Sequence, residues 1–147
     1  MKLSWFVTTG ILLVSSAFTN PVKAAENIKI FDIKEILDCQ ARFKDRVDYS
    51  RCLDRVITSY DRTLVSWQNN IKFKLQEVAE TNGRRDAIII FQVSGEEFQS
   101  YKKKNCNWQY LAMLPDVSSA SIVNKECTIA MTAQRIEDLK EISAFEF

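Results

Sequence analysis

Four cysteines are the residues whose chemistry can be read most directly from this sequence. Cys39, Cys52, Cys106 and Cys127 form no Cys-x-x-Cys pair, and the 147 residues contain no histidine. Zinc and haem sites usually depend on such ligands, so we expect no metal and no cofactor. If the chain is exported, the even number of cysteines predicts two disulfides. Three pairings are possible, and proximity in sequence favours Cys39–Cys52 with Cys106–Cys127.

The residue types give little support to a catalytic function. Hydrolase triads generally use histidine as the base near neutral pH, and this chain has none. Glu96 and Glu97 are adjacent in a predicted helix, where neighbouring side chains point away from one another. A serine–lysine or carboxylate pair stays open in principle, but we find no nucleophile, phosphate-binding, dinucleotide-binding or calcium-binding motif. We therefore expect a protein that is not an enzyme.

The first 24 residues have the features of a secretory signal peptide. Lys2 precedes an apolar segment, Leu3–Phe18, and the small residues Val22 and Ala24 favour cleavage before Ala25. The alternative, an uncleaved anchor, is disfavoured because the segment is shorter than about 18 residues and contains serine and threonine. We expect a periplasmic or secreted protein with no stable membrane insertion after signal cleavage.

The mature chain, residues 25–147, has the size of one domain. Removing Lys2 and Lys23 from the 20 basic residues leaves 18, against 19 acidic residues. This near-neutral balance does not favour a nucleic-acid partner. Only three glycines and two prolines occur in the whole chain, which favours long helices over a sandwich or barrel with many tight turns.

The clearest helical period runs from Asp48 to the Asn82-Gly83 stop signal, where apolar residues recur every three or four positions. A shorter helix is expected over Ile28–Val47. A third should run from Arg84 or Arg85 to about Asn105, although Ile88–Val93 could form a strand on composition alone.

A loop, Asn107–Pro115, is expected to precede the last helix, for which Asp116, Ser118 and Ser119 are candidate N-caps. One face of the third helix is expected to carry Ala87, Ile90, Phe91, Ser94, Phe98, Tyr101 and Asn105, which implies that Ile90 and Tyr101 pack with Phe91 and Phe98. The fold class is therefore all-α: an elongated antiparallel helical hairpin or bundle of three to four helices held by two disulfides, one near each end.

Two side chains are candidate binding residues on local grounds. Trp108 would lie in the loop beside Cys106, either as a binding anchor or packed over the disulfide. Lys102 opens the run Lys102–Lys104, which could meet an anion or lie in a final helical turn, where exposed carbonyls favour positive charge.

The spacing around the last two cysteines resembles the LprI-type lysozyme-inhibitor family of small exported bacterial proteins. Phenylalanine and lysine stand where that family has tryptophan and arginine. The matching positions are Phe98, Tyr101, Lys102 and Cys106, then Cys127, Thr132, Arg135 and Leu139, with Cys39, Cys52, Asp61 and Leu64 upstream.

The resemblance implies a helical fold with local disulfides and the activity of a lysozyme inhibitor. It also draws attention to Arg135, a charge in an apolar row, which could pair with Asp61 across the bundle or face a partner. The expected partner is a lysozyme or another envelope protein. The alternative is an envelope structural or protein-interaction module, and the sequence leaves the oligomeric state open.

Overall fold

The computed structural model describes residues 33–145, and four helices make up most of this range. They are α1 (Lys34–Arg42), α2 (Arg46–Asn82), α3 (Asp86–Ala112) and α4 (Val117–Ser143). No strand occurs among these residues, and the all-α prediction is confirmed. The predicted signal peptide lies outside the described residues.

The ends of α2 follow from residues that cap helices. The Asp45 carboxylate accepts hydrogen bonds from the backbone N–H groups of Val47 and Asp48, at 2.8 and 3.1 Å. This cap starts the helix at Arg46, two residues before the predicted position. The helix predicted over Ile28–Val47 ends at Arg42, where Phe43 takes an extended conformation. Gly83, with φ 75°, closes α2 in the left-handed region and donates its N–H to Ala79.

Helix α3 is longer than the sequence predicted. It continues through Trp108 to Ala112, so the predicted loop Asn107–Pro115 is wrong over its first six residues. The physical reason is that no glycine or proline interrupts this segment before Pro115. The segment Ile88–Val93 is also helical, as preferred over the strand alternative.

Helices α2 and α4 run parallel, with α3 antiparallel to both. Contacts between α2 and α4 keep the same order along both chains: Arg46 with Ser119, Asp54 with Lys125, and Lys74 with Ser143. Contacts between α3 and α4 have the opposite order: Ser94 with Arg135, Lys102 with Thr132, and Gln109 with Cys127.

The core consists of two apolar clusters stacked along the bundle. The first joins α1, α2 and α4 and is formed by Ile33, Ile36, Cys39, Tyr49, Leu53, Ile129 and Ala133. The second lies toward the other end and is formed by Leu64, Ile71, Ile136 and Leu139, with Trp67, Phe91 and Phe98 packed against it. Burial of this apolar surface is the main term that stabilises the bundle.

Both disulfides lie at the same end of the bundle. Cys39 pairs with Cys52, joining α1 to α2, and Cys106 pairs with Cys127, joining α3 to α4. Ser50 and Lys125 touch across α2 and α4 at a separation of 75 residues, and Cys52 and Cys127 have that same separation. The expectation of one bridge near each end is therefore wrong, because α4 returns parallel to α2.

Removing the Cys106–Cys127 disulfide should destabilise the fold. In a chain-entropy account, closing a loop of 21 residues stabilises by about 3 kcal/mol. We expect Cys106→Ser with Cys127→Ser to lower the free energy of unfolding by about that amount, measured by denaturant titration. A loss under about 1 kcal/mol would show that the unfolded chain is not restricted by this bridge.

Alkaline pH should weaken the first core cluster through Tyr49. Burial, and the hydrogen bond that its hydroxyl donates to Glu126, raise the pKa of this phenol. An unfolded tyrosine ionises at about pH 10. The contribution of the Tyr49 phenol to the free energy of unfolding is therefore complete below that pH and declines as the pH rises further. Tyr49→Phe should therefore lose less stability than the unaltered chain above about pH 10. Equal losses in denaturant titrations would contradict this linkage.

Candidate functional site

Lys102 lies inside the bundle, where α2, α3 and α4 meet. Its side chain is only 9% exposed. Its Nζ is 3.4 Å from Asp61 Oδ1 and 3.1 Å from Thr132 Oγ1. The prediction of an exposed final turn is wrong, because α3 continues to Ala112. Lys102 is therefore an interior cation that links three helices.

Arg135 joins the same region from α4. Its Nη2 donates to Ser94 Oγ at 3.1 Å, and its guanidinium carbon lies 5.7 Å from the centre of the Phe98 ring. Its Nε is buried without a hydrogen-bond partner in the described part of the chain. Of the two alternatives predicted for Arg135, the pair with Asp61 is not formed among the described residues, where that carboxylate pairs with Lys102 instead.

A polar layer lies between the two apolar clusters and consists of Lys102, Asp61, Thr132 and Arg135. Lys102 Nζ also lies 5.6 Å from the Phe98 ring centre, so two cations approach one aromatic side chain. The Thr132 hydroxyl donates to the Thr128 carbonyl at 2.8 Å, which leaves its oxygen free to accept from Lys102. This arrangement links α2, α3 and α4 through an ammonium, a carboxylate and a hydroxyl.

Trp108 lies on the outer side of α3, not in a loop. Its side chain is 59% exposed, and its indole N–H donates to Asn105 Oδ1 at 3.3 Å. The amide nitrogens of Gln109 and Asn105, not the indole, approach the Cys127 sulfur, at 3.3 and 3.9 Å. Trp108 therefore stays open to a partner molecule.

Trp108 belongs to a line of exposed side chains that we call the α3 stripe. Consecutive members are three or four residues apart, the spacing that keeps side chains on one side of a helix. They are Ile90, Val93, Glu97, Tyr101, Lys104, Trp108 and Leu111. The prediction that Ile90 and Tyr101 face inward is wrong, since these residues are 66% and 61% exposed.

A second exposed apolar surface, the turn patch, lies where α3 meets α4. It consists of Met113, Leu114 and Val117. Asp116 caps α4 by accepting from the Ser119 N–H at 3.1 Å, as predicted, and it also pairs with Arg46 at 3.4 Å. The Ser119 hydroxyl and N–H, together with Arg46, hold the pKa of Asp116 below its usual value. Its carboxylate therefore stays charged and keeps the turn in place.

The acidic pair Glu96-Glu97 is divided between two surfaces. Glu96 lines an open groove between α2 and α3, beside Gln68, Lys72 and Gln99, whereas Glu97 lies in the α3 stripe. Among residues 33–145, no three histidine, cysteine, aspartate or glutamate side chains are grouped as metal ligands. None of the helices in this range is long and apolar enough to span a membrane.

Comparisons with protein-family models, with curated proteins and with solved structures find no match for this chain. The resemblance to the lysozyme-inhibitor family therefore stays a prediction from the cysteine spacing and the residues around it.

Asp61→Asn should destabilise the bundle by disrupting its polar layer. The substitution leaves the buried Lys102 ammonium without its carboxylate, and we expect a loss of about 1–3 kcal/mol in the free energy of unfolding. Adding Lys102→Met removes the unpaired charge and should recover most of that loss, as a double-mutant cycle by denaturant titration would measure.

The matched control is the exposed pair Lys34–Asp38, which joins residues four apart on α1. The same kind of cycle there should give a coupling of about 0.5 kcal/mol or less. Simple additivity at Asp61 and Lys102 would contradict a structural role for their contact.

Proposed function

We propose that this chain is an exported binding protein that catalyses no reaction, and that its first target to test is a lysozyme. The observation that carries the proposal is the turn patch. It places three apolar side chains in solvent on a short turn between two helices. Exposed apolar surface of this kind commonly marks a site where another protein binds.

The turn patch is flanked by a disulfide and by an ion pair to a neighbouring helix. The Cys106–Cys127 disulfide joins the two helices that flank it, and Asp116 links its own helix to Arg46 on α2. A surface that is already ordered loses little conformational entropy on binding, which favours affinity. Leu114 and Val117 are therefore suited to act as fixed anchors in a cleft.

The charge distribution is consistent with binding through apolar contact. The mature chain is nearly neutral, so long-range attraction to a strongly basic lysozyme would contribute little. At the turn patch, Asp116 is already paired with Arg46. Affinity would then depend on how well the apolar side chains fill the sugar-binding cleft of the target.

Peptidoglycan lysis by several lysozymes, with and without the exported chain, tests this function. We expect lysis to slow, and Leu114→Asp with Val117→Asp to weaken inhibition by at least about tenfold, because charges would enter an apolar contact. Phe73→Asp is the matched control, since Phe73 is an exposed apolar residue on α2, outside the turn patch. Lysis that continues unchanged at excess protein would reject lysozyme inhibition.

A second candidate, an envelope protein-interaction module, is favoured by the α3 stripe. Five of its seven members are apolar or aromatic, and they extend along most of α3. Such a long exposed face suits a helical partner better than a compact cleft. The two candidates therefore use different surfaces of the same chain.

A further inference from the structure

We propose that two copies of this chain associate through the α3 stripe, with their α3 helices antiparallel and Glu97 of each copy beside Lys104 of the other. This inference rests on the second candidate function, the interaction module. It does not depend on lysozyme binding.

The spacing of the stripe suits contact with another helix. Steps of three and four residues keep side chains along a nearly straight seam, so a second helix can follow them over several turns. From Ile90 to Leu111 the seam is about 32 Å long. In the described part of the chain the other helices pack on α3 from elsewhere and leave this seam exposed.

The order of residues along the stripe makes it complementary to itself. A two-fold axis between Ser100 and Tyr101 brings Glu97 level with Lys104 of the second copy. The same operation brings Val93 level with Trp108, and Ile90 level with Leu111. Ile90 and Val93 thus meet apolar residues, and each charge meets its opposite, as a two-fold interface requires. The two Tyr101 side chains flank the axis, each level with Ser100 of the other copy.

Within residues 33–145, the two charges of the stripe have no competing ion-pair partners. Neither Glu97 nor Lys104 forms an ion pair with another residue of the described range. Both are exposed near the middle of an otherwise apolar seam. In the antiparallel arrangement they form two identical ion pairs, one on each side of the axis.

The same charges disfavour other arrangements of the two helices. A parallel pair in register would place Glu97 against Glu97 and Lys104 against Lys104. Sliding the antiparallel pair by seven residues in either direction also brings two like charges to the axis, either the glutamates or the lysines. Like charges across a helix seam select against a register, so the stripe specifies one arrangement.

Sedimentation of the exported chain, with its disulfides intact, tests the proposal. We expect a concentration-dependent dimer. Glu97→Lys alone and Lys104→Glu alone should each raise the dissociation constant by at least about tenfold, because each creates two like-charge contacts. Lys103→Glu, the same charge change at an exposed neighbour outside the stripe, should leave the dimer unchanged.

Charge exchange supplies the decisive result. Glu97→Lys with Lys104→Glu in one chain should restore the dimer. A mixture of the two single variants should form a heterodimer, because each then supplies the charges that the other needs. A chain that sediments only as a monomer, or a dimer that none of these changes affects, would overturn the proposal.

Failure here and failure of the lysozyme function are distinguishable. The Lys104→Glu chain, expected to be monomeric, keeps an unaltered turn patch and can be assayed for inhibition of lysis. If the unaltered chain inhibits lysis but never dimerises, only the α3 pairing is rejected. A dimer that leaves lysis unchanged would reject only lysozyme inhibition.

Discussion

Burial of α4 on two sides is the packing constraint on which the rest of this structure depends. One face of α4 packs on α2 and another on α3, whereas α2 and α3 share far fewer contacts. Seven α4 residues are buried: Ala120, Cys127, Ile129, Thr132, Ala133, Ile136 and Leu139. Because α3 is packed mainly from the α4 side, its opposite face stays in solvent. The α3 stripe is therefore a consequence of a bundle built around α4.

The polar layer around Lys102 determines which alignment of the helices is stable. Apolar side chains can slide past one another at modest cost, but a buried ammonium requires its carboxylate and hydroxyl at fixed positions. Asp61 and Thr132 provide these on α2 and α4. A shift of either helix by one turn would leave a charge unpaired between two apolar clusters. Lys102 and Arg135, the predicted binding residues, thus make contacts between helices in this structure.

The sequence predicts the fold class and the longest helix because both depend on local signals. The apolar period of α2 and the glycine that ends it can be recognised without knowing the rest of the chain. The end of α3 could not be placed in the same way, because Asn107–Leu114 contains neither a strong helix signal nor a breaker. In the structure this stretch follows Cys106, which is bonded to α4, and Gln109 contacts the Cys127 sulfur, and such tertiary contacts cannot be recognised from local signals.

The sequence predicts that α3 is a helix more readily than it predicts which of its side chains face the core. Apolar residues occur on both sides of this helix, Phe91 and Phe98 toward the core, Ile90 and Tyr101 toward solvent. A periodic pattern alone does not indicate which side a neighbouring helix covers. The three-and-four spacing from Ile90 to Leu111 was the signal that could have identified the stripe.

If two copies pair through the α3 stripe, the position of the turn patch in the dimer follows from the same symmetry. The two-fold arrangement that sets Ile90 level with Leu111 places the Ala112 end of each α3 beside the Asp86 end of the other. Each turn patch would then lie beside the turn between α2 and α3 of its partner, and the dimer would carry two identical ends. A target that presents repeated sites could engage both ends at once and gain affinity through effective concentration without any new contact. Pairing through α3 would thus multiply binding at the turn patch, because its symmetry leaves one copy of that patch at each end of the dimer.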